Sequence, residues 1–212
     1  MKDWIGNSNS IYKTLGASNH TDKEREQNDY YATDPYAIDK LLTVEKPNKN
    51  IWECAAGEGH LSKRLSEFGY NVVTSDIVER NYKLDFIQDF LTIDKEDNQV
   101  DLVFKDYDIL SNPPFKYATS FILKALDLIK PWNKVYMFLK IQFLEGKQRY
   151  RDLFSKYPPK KIYVFSERVM CAKNGDFEGM KAGGGSAVCY AWYVWEKGNK
   201  NKTEVEWIWQ KN

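Results

Sequence analysis

One stretch near the start of the chain restricts the fold more than any other. Residues 50–56 are mostly apolar and read as a buried strand, and Gly57-Glu58-Gly59 follow at once. Gly57 and Gly59 allow a sharp turn and a close approach to a ligand, while a helix starting near Glu58 would present unpaired N–H groups to it. The stretch therefore predicts a strand, a ligand-binding turn and a helix in succession.

The segment after this turn continues the same alternation. Leu61, Leu65 and Phe68 recur at helical spacing before Gly69, and residues 71–76 then form a second short apolar run. Strand, helix and strand in this order are typical of a parallel α/β sheet.

Phosphate is not the ligand that this turn indicates. A dinucleotide fingerprint would place a third glycine at position 62, which is Ser62, and the Gly-Lys-Ser/Thr of a phosphate-binding loop is absent. Asp76 follows the glycines by about 20 residues, where a doubly wound fold places the acid that accepts from ribose hydroxyls. The pattern favours a nucleoside.

The rest of the chain extends this plan. We predict helices over residues 35–42 and 117–130 and strands over residues 107–110, 134–141 and 161–165. Residues 187–195 and 203–209 alternate β-branched and aromatic residues around a Lys-Gly-Asn-Lys turn, which predicts an antiparallel hairpin. The expected fold class is α/β, with a mostly parallel sheet and an antiparallel C-terminal hairpin.

A short motif, Ser111-Asn112-Pro113-Pro114-Phe115, follows the predicted strand at 107–110. The Asn112 side-chain carbonyl and the proline-fixed backbone offer two acceptors for one NH2 group, with an aromatic face beside them. Asn-Pro-Pro is also a common turn sequence, so the motif alone leaves both interpretations open.

Five segments follow one another in the order Tyr30 to Pro35, Glu53 to Gly59, Asp76, Asp89-Phe90-Leu91 and Asn112 to Phe115. Together they resemble the successive motifs of S-adenosylmethionine-dependent amino-methyltransferases, and most of all the small DNA adenine N6-methyltransferases of bacteriophages and prophages. The resemblance runs from about residue 30 to residue 195, and it implies a Rossmann-like methyltransferase sheet that binds S-adenosylmethionine.

The resemblance implies cofactor contacts for two groups of residues. Glu53, Gly57 and Gly59 would contact the methionine part, and Asp76 the ribose hydroxyls. A simpler role for Asp76 is a helix N-cap.

Four more residues are implied as cofactor contacts. Asp89 and Phe90 would meet the amino group and the face of the cofactor's adenine, while Tyr30 and Thr33 would reach its carboxylate end. Here Asp34 separates Thr33 from Pro35, which departs from the family's Thr-Pro pair. Asp89 could instead be solvated and Phe90 could be core.

The amine site follows from the chemistry of the motif. An aromatic NH2 group that donates to Asn112 Oδ1 and to the Pro113 carbonyl would have a more tetrahedral nitrogen. Its lone pair would then be a better nucleophile. Phe115 would stack on a base flipped out of the duplex. The resemblance places Phe143, Arg149 and Arg168 at the base pocket or the DNA backbone, although a loop with a salt-bridged arginine would look the same.

Length and charge distribution indicate the domain organisation and one possible partner. We expect a polar N-terminal arm over residues 1–29 and one methyltransferase domain over residues 30–212. Residues 130–173 carry eleven Lys/Arg and three acids, which favours a face for a polyanion such as DNA, although a solvated helix is an equal alternative.

The three cysteines indicate no disulfide scaffold or metal site, and no apolar run is long enough for a membrane, so a soluble, cytoplasmic protein is expected.

The same acceptors fit other planar NH2 groups. N4 of cytosine, N2 of guanine in RNA and the glutamine amide of a protein stay open as substrates, and a non-catalytic nucleic-acid-binding partner is the alternative of another class. The relatives that read a DNA sequence usually carry a further recognition domain. Here we expect loops such as residues 170–186 to read a short site, or a nearly nonspecific enzyme.

Overall fold

The structure, a computed structural model, describes residues 31–94, 106–173, 175–182 and 188–209. The predicted arm at residues 1–29, the site residue Tyr30 and part of the loop at residues 170–186 lie outside the described residues.

An eight-stranded sheet forms the centre of the described chain. Its strand order is β10-β7-β9-β6-β5-β2-β3-β4, and all neighbouring strands are parallel except around β9, which runs against both β6 and β7. The strands are β2 (Asn50–Glu53), β3 (Asn71–Asp76), β4 (Phe86–Ile87), β5 (Asp108–Ser111), β6 (Lys134–Lys140), β7 (Lys161–Phe165), β9 (Tyr190–Glu196) and β10 (Glu204–Ile208). This mostly parallel α/β sheet confirms the predicted fold class.

Helices cover both faces of the sheet. On one face lie α1 (Tyr36–Val44) and α2 (His60–Glu67), whose apolar residues pack with Tyr136 and Phe138 of β6. On the other face α3 (Ala118–Leu128) packs against Val135, Met137 and Leu139 of the same strand. Since successive side chains of β6 alternate between two buried faces, the strand reads as one continuous apolar run.

The C-terminal strands differ from the prediction in one respect. β9 supplies the antiparallel pairing, but its partners are β6 and β7, and β10 pairs in parallel with β7 instead of with β9. The residues between β9 and β10 therefore carry the chain past β7. Local alternation predicts that both segments are strands, but it holds no information about which strand lies between them.

Two short strands form a separate ribbon beside the sheet. β1 (Tyr31–Thr33) pairs antiparallel with β8 (Cys171–Lys173), and Thr33 lies opposite Cys171. Two short helices complete the described chain, α4 (Lys147–Arg149), which runs into a π-helical turn at Tyr150–Phe154, and α5 (Phe177–Ala182). No helix among the described residues is both long and apolar enough to cross a membrane.

Candidate active site

A cavity of about 570 Å³ opens at the carboxyl ends of β2, β3 and β5. It lies where the strand order reverses, since β3 lies on one side of β2 and β5 on the other. Most of the residues predicted for cofactor and amine contacts line it, namely Thr33, Glu53, Asp76, Asp89, Phe90, Asn112, Pro113 and Phe115.

The glycine turn lies beside this cavity: its neighbours Ala56 and His60 line the cavity, and Gly57 and Gly59 do not. Gly57 and Gly59 have φ values of 57° and 71°, in the left-handed region that glycine adopts most readily. The Gly57 N–H donates to Asp76 Oδ2 at 2.9 Å, so the acid at the end of β3 also holds the turn. A Cβ at Gly59 would lie 2.6 Å from the Tyr82 ring, so the ring would have to shift to admit a side chain there.

Glu53 is the buried carboxyl group of the cavity. It is 2% exposed, and the Ser62 hydroxyl donates to its Oε2. Burial raises the pKa of Glu53 from 4.5 to about 8; the Ser62 hydrogen bond opposes this rise in pKa and the nearby Asp76 adds to it. Ser62, which departs from the dinucleotide fingerprint, is thus the partner of Glu53.

The pKa of Glu53 gives a pH prediction. Because the folded protein holds this proton up to about pH 8 and the unfolded chain releases it near 4.5, stability should fall as pH rises between these values. The slope reaches about 1.4 kcal/mol per pH unit at most. Urea unfolding at several pH values should show this slope, and Glu53→Gln should reduce it; equal slopes for both proteins would exclude Glu53 as its source.

Asp89 and Phe90 begin the 3-10 turn at Phe90–Thr92. Asp89 Oδ1 accepts from the Leu91 N–H at 2.9 Å, so this acid caps the turn besides lining the cavity. Phe90 is 1% exposed and lies between Trp52 and Phe121, at centroid distances of 5.2 and 5.1 Å. Phe90 therefore belongs to the core as well as to the cavity wall.

Asn112 directly follows β5 and lines the cavity, and its side-chain amide is held from one side. Its Nδ2 donates to the Tyr31 carbonyl at 3.1 Å and to Cys171 Sγ at 3.4 Å. Since a backbone carbonyl only accepts, the nitrogen must face Tyr31. Asn112 Oδ1 is buried and has no hydrogen-bond partner among the described residues, an acceptor whose burial without a donor costs free energy.

The neighbours of Asn112 complete this side of the cavity. Among the described residues no donor reaches the Pro113 carbonyl. The half-buried Phe115 ring lies 6.2 Å from the rings of Tyr31 and Tyr190, and Lys140 Nζ lies 4.6 Å from its centroid. Two acceptors and an aromatic ring therefore stand together, as the motif predicts.

Phe143 and Arg149 do not line this cavity. Phe143 is 8% exposed and packs edge-on against Phe154 and Tyr193 in the core. The Arg149 guanidinium lies 4.2 Å from the Phe143 ring and donates to the carbonyls of Phe143 and Glu145. This pair ties the turn after β6 together, and its role at the base pocket or the DNA backbone stays a prediction.

Arg168 and Thr33 occupy different surroundings. Arg168 is exposed in the segment between β7 and β8 and does not line the cavity. Thr33 is 3% exposed and lines the cavity at the end of β1. Asp34, the residue that interrupts the Thr-Pro pair, accepts from the Tyr36 N–H at 3.0 Å and so helps to start α1.

The basic stretch at residues 130–173 is partly neutralised. Lys134, Lys160 and Lys161 contact Glu45, Glu196 and Glu206, and Arg151 contacts Asp152, at 2.6 to 2.8 Å. These pairs involve four of the eleven basic residues, so the ion-paired alternative and an open face for a polyanion both stay predictions.

Several cavity residues carry no motif signal in the sequence. His60, Arg80 and Lys116 line the cavity beside the residues named above, and the His60 ring meets Phe177 edge-on at 5.5 Å. His60 and Lys116 directly follow the glycine turn and the Asn-Pro-Pro-Phe motif, and that adjacency is the one signal that could have found them.

Comparison with known proteins identifies the fold. No protein-family model matches the chain, and no curated protein matches it. Among solved structures, a protein of Agrobacterium tumefaciens described as an O-methyltransferase has a TM-score of 0.56 at 12% identity, over 82% of this chain and 85% of that one. A Listeria monocytogenes protein described as a class I S-adenosylmethionine-dependent methyltransferase has a TM-score of 0.51 at 14% identity, over 84% and 64%.

The type IIG restriction endonuclease BpuSI is a third similar structure. Its TM-score is 0.50 at 15% identity, over 78% of this chain and 25% of that one. The chain thus spans less than two thirds of two of these three proteins. At such low identity the likeness establishes the class I methyltransferase fold and leaves the reaction to the residues of the site.

Proposed function

We propose that a chain with this fold and this cavity transfers a methyl group from S-adenosylmethionine to an exocyclic amine, and that its substrate is N6 of adenine in DNA. One observation carries the proposal. Asn112 Oδ1 is a buried acceptor that has no donor among the described residues, next to the Pro113 carbonyl and the Phe115 ring. An NH2 group on a flat ring would supply the missing N–H donors, and the ring would stack on Phe115.

The residues present fit S-adenosylmethionine. Gly57 and Gly59 turn the backbone sharply between the lining residues Ala56 and His60, and the cavity also holds the carboxyl groups of Glu53 and Asp76. Asp89 and Phe90 line the same cavity, and an adenine ring would lie beside them. When bound, this cofactor supplies an activated methyl group on a sulfonium, so the chain needs only to bind and align the amine.

Asn112 and Pro113 would provide that alignment. Asn112 Oδ1 and the Pro113 carbonyl would accept the two N–H groups of the substrate, which draws the nitrogen lone pair out of the ring. Both acceptors are fixed before the substrate arrives, because the Asn112 amide is held by Tyr31 and Cys171 and the proline backbone is restricted. Such preorganised groups act on charge as it develops at the nitrogen.

Support for adenine in DNA comes from the order of the motifs and from the Phe115 ring. Stacking of a flipped base on an aromatic ring contributes about 1–3 kcal/mol, which offsets part of the unstacking. BpuSI, a restriction endonuclease, shares the fold. A restriction-modification or phage setting, with the protein in a bacterial cytoplasm, follows from the resemblance.

The test is a labelling experiment. The protein is incubated with methyl-labelled S-adenosylmethionine and unmethylated duplex DNA, which is digested to nucleosides and examined by mass spectrometry. We expect N6-methyladenine. Label in N4-methylcytosine would move the proposal to the other amino base, and label confined to RNA or protein would refute DNA as the substrate.

A further inference from the structure

The ribbon of β1 and β8 lies next to the end of β5, so the Asn112 amide contacts both of its strands. The Tyr31 carbonyl comes from β1 and the Cys171 sulfur from β8, at 3.1 and 3.4 Å from Asn112 Nδ2. We infer that Cys171 is a positioning residue for Asn112, which together with the Tyr31 carbonyl sets the direction of the amide. This inference rests on the proposed function.

The geometry of an amide makes two contacts more restrictive than one. A side-chain amide nitrogen carries two N–H groups in the amide plane, and the terminal torsion of asparagine is broad. One bond to Tyr31 would still allow the plane to rock about that bond. With the second N–H directed at Cys171, both donors lie on the ribbon side and Oδ1 is left at the opposite end.

The chemical state of Cys171 suits this role. The residue is 4% exposed and its thiol is free. Burial raises the pKa of the Cys171 thiol to about 11, so it stays neutral at ordinary pH and adds no charge beside the amine site. A neutral sulfur is a weak acceptor, enough to orient an N–H without holding the amide too strongly.

A simple packing role would have different consequences. Cys171 belongs to the core cluster that contains Val169 and Tyr190, where a small apolar residue serves equally well. In that case alanine at position 171 would lower stability and leave turnover intact. The kcat of the alanine variant therefore distinguishes a positioning role from a packing role.

Three variants test the difference in the methylation assay. Cys171→Ala should lower kcat about five- to tenfold, the effect of one lost hydrogen bond, with the cofactor Kd and the KM for DNA unchanged. Cys171→Ser, which restores an acceptor, should return kcat to within about twofold of wild type. Val169→Ala, at a site 3% exposed in the same cluster, should lower Tm without lowering kcat.

A second measurement needs no turnover. Hydrogen exchange of the Asn112 side-chain amide is followed by NMR, and its signals are assigned by their absence in Asn112→Ala. We expect protected signals in the wild type and in Cys171→Ser, and about tenfold faster exchange in Cys171→Ala. Unchanged exchange together with unchanged kcat in Cys171→Ala would overturn the positioning role.

The two readouts also separate this inference from the proposed function. A wild-type protein that methylates no DNA, RNA or protein would refute the proposed function. The Asn112 exchange data would then still decide whether Cys171 holds the amide.

Discussion

Replacing Asn112 with alanine is expected to lower kcat for methyl transfer by about 10²–10³-fold, the usual effect of removing one preorganised polar group from a reacting centre. In the proposed function, the variant loses the acceptor that would draw the amine toward a tetrahedral nitrogen. Cofactor affinity should stay near that of the wild type, because the glycine turn, Glu53 and Asp76 are untouched. Single-turnover labelling gives the rate, and calorimetry gives the cofactor affinity.

Two further variants sharpen this prediction. Asn112→Asp keeps an acceptor but turns an oxygen toward the Tyr31 carbonyl, so its rate should fall between those of the wild type and the alanine variant. Asn71→Ala is the matched control, since Asn71 is exposed and its Nδ2 donates to Asn50 Oδ1 at 2.9 Å, outside the cavity. Equal rates for Asn112→Ala and Asn71→Ala would refute the catalytic role of Asn112.

Substituting Gly59 with alanine should destabilise the fold and weaken cofactor binding together. The left-handed backbone, with φ of 71°, costs an alanine about 1–2 kcal/mol. The new Cβ would lie 2.6 Å from the Tyr82 ring, and relief of that overlap should add about 1–3 kcal/mol. Urea unfolding measures the free energy of unfolding, and calorimetry measures the affinity for S-adenosylmethionine.

The chain offers a matched control for this substitution. Gly198 has φ of 92°, but a Cβ there meets nothing within 4 Å. Gly198→Ala should therefore cost only the backbone part, about 1–2 kcal/mol, and leave cofactor binding intact. In a Tyr82→Ala background the extra loss at Gly59 should disappear. Equal destabilisation at Gly59 and Gly198 would show that the Tyr82 contact is unimportant.

Local pattern predicts a large part of this molecule. The strands that begin at Asn50, Asn71 and Lys134 and the helix that ends before Gly69 follow from alternation, helical spacing and glycine, because these signals act over a few residues. The meeting of Glu53, Asp76 and Asn112 is also predictable, since the carboxyl ends of neighbouring parallel strands lie at one edge of the sheet.

Local pattern says less about the irregular segments. The resemblance assigns Phe143 and Arg149 to the base pocket, which stays a prediction, and in the structure the turn that carries them packs onto the core. A phenylalanine in a turn has the same local signature whether it faces a cavity or the core. Only its neighbours, Phe154 and Tyr193, decide between the two.

An alternating α/β chain, the glycine turn after β2 and the Asn-Pro-Pro-Phe motif after β5 can be read from the sequence, because each depends on residues close together in the chain. The tertiary structure alone decided that β7 lies between β9 and β10 and that Glu53 is paired with Ser62. It also decided that Asn112 meets Tyr31 and Cys171, which are 81 and 59 residues away. Such contacts arise from the packing of distant segments, and no local periodicity encodes them.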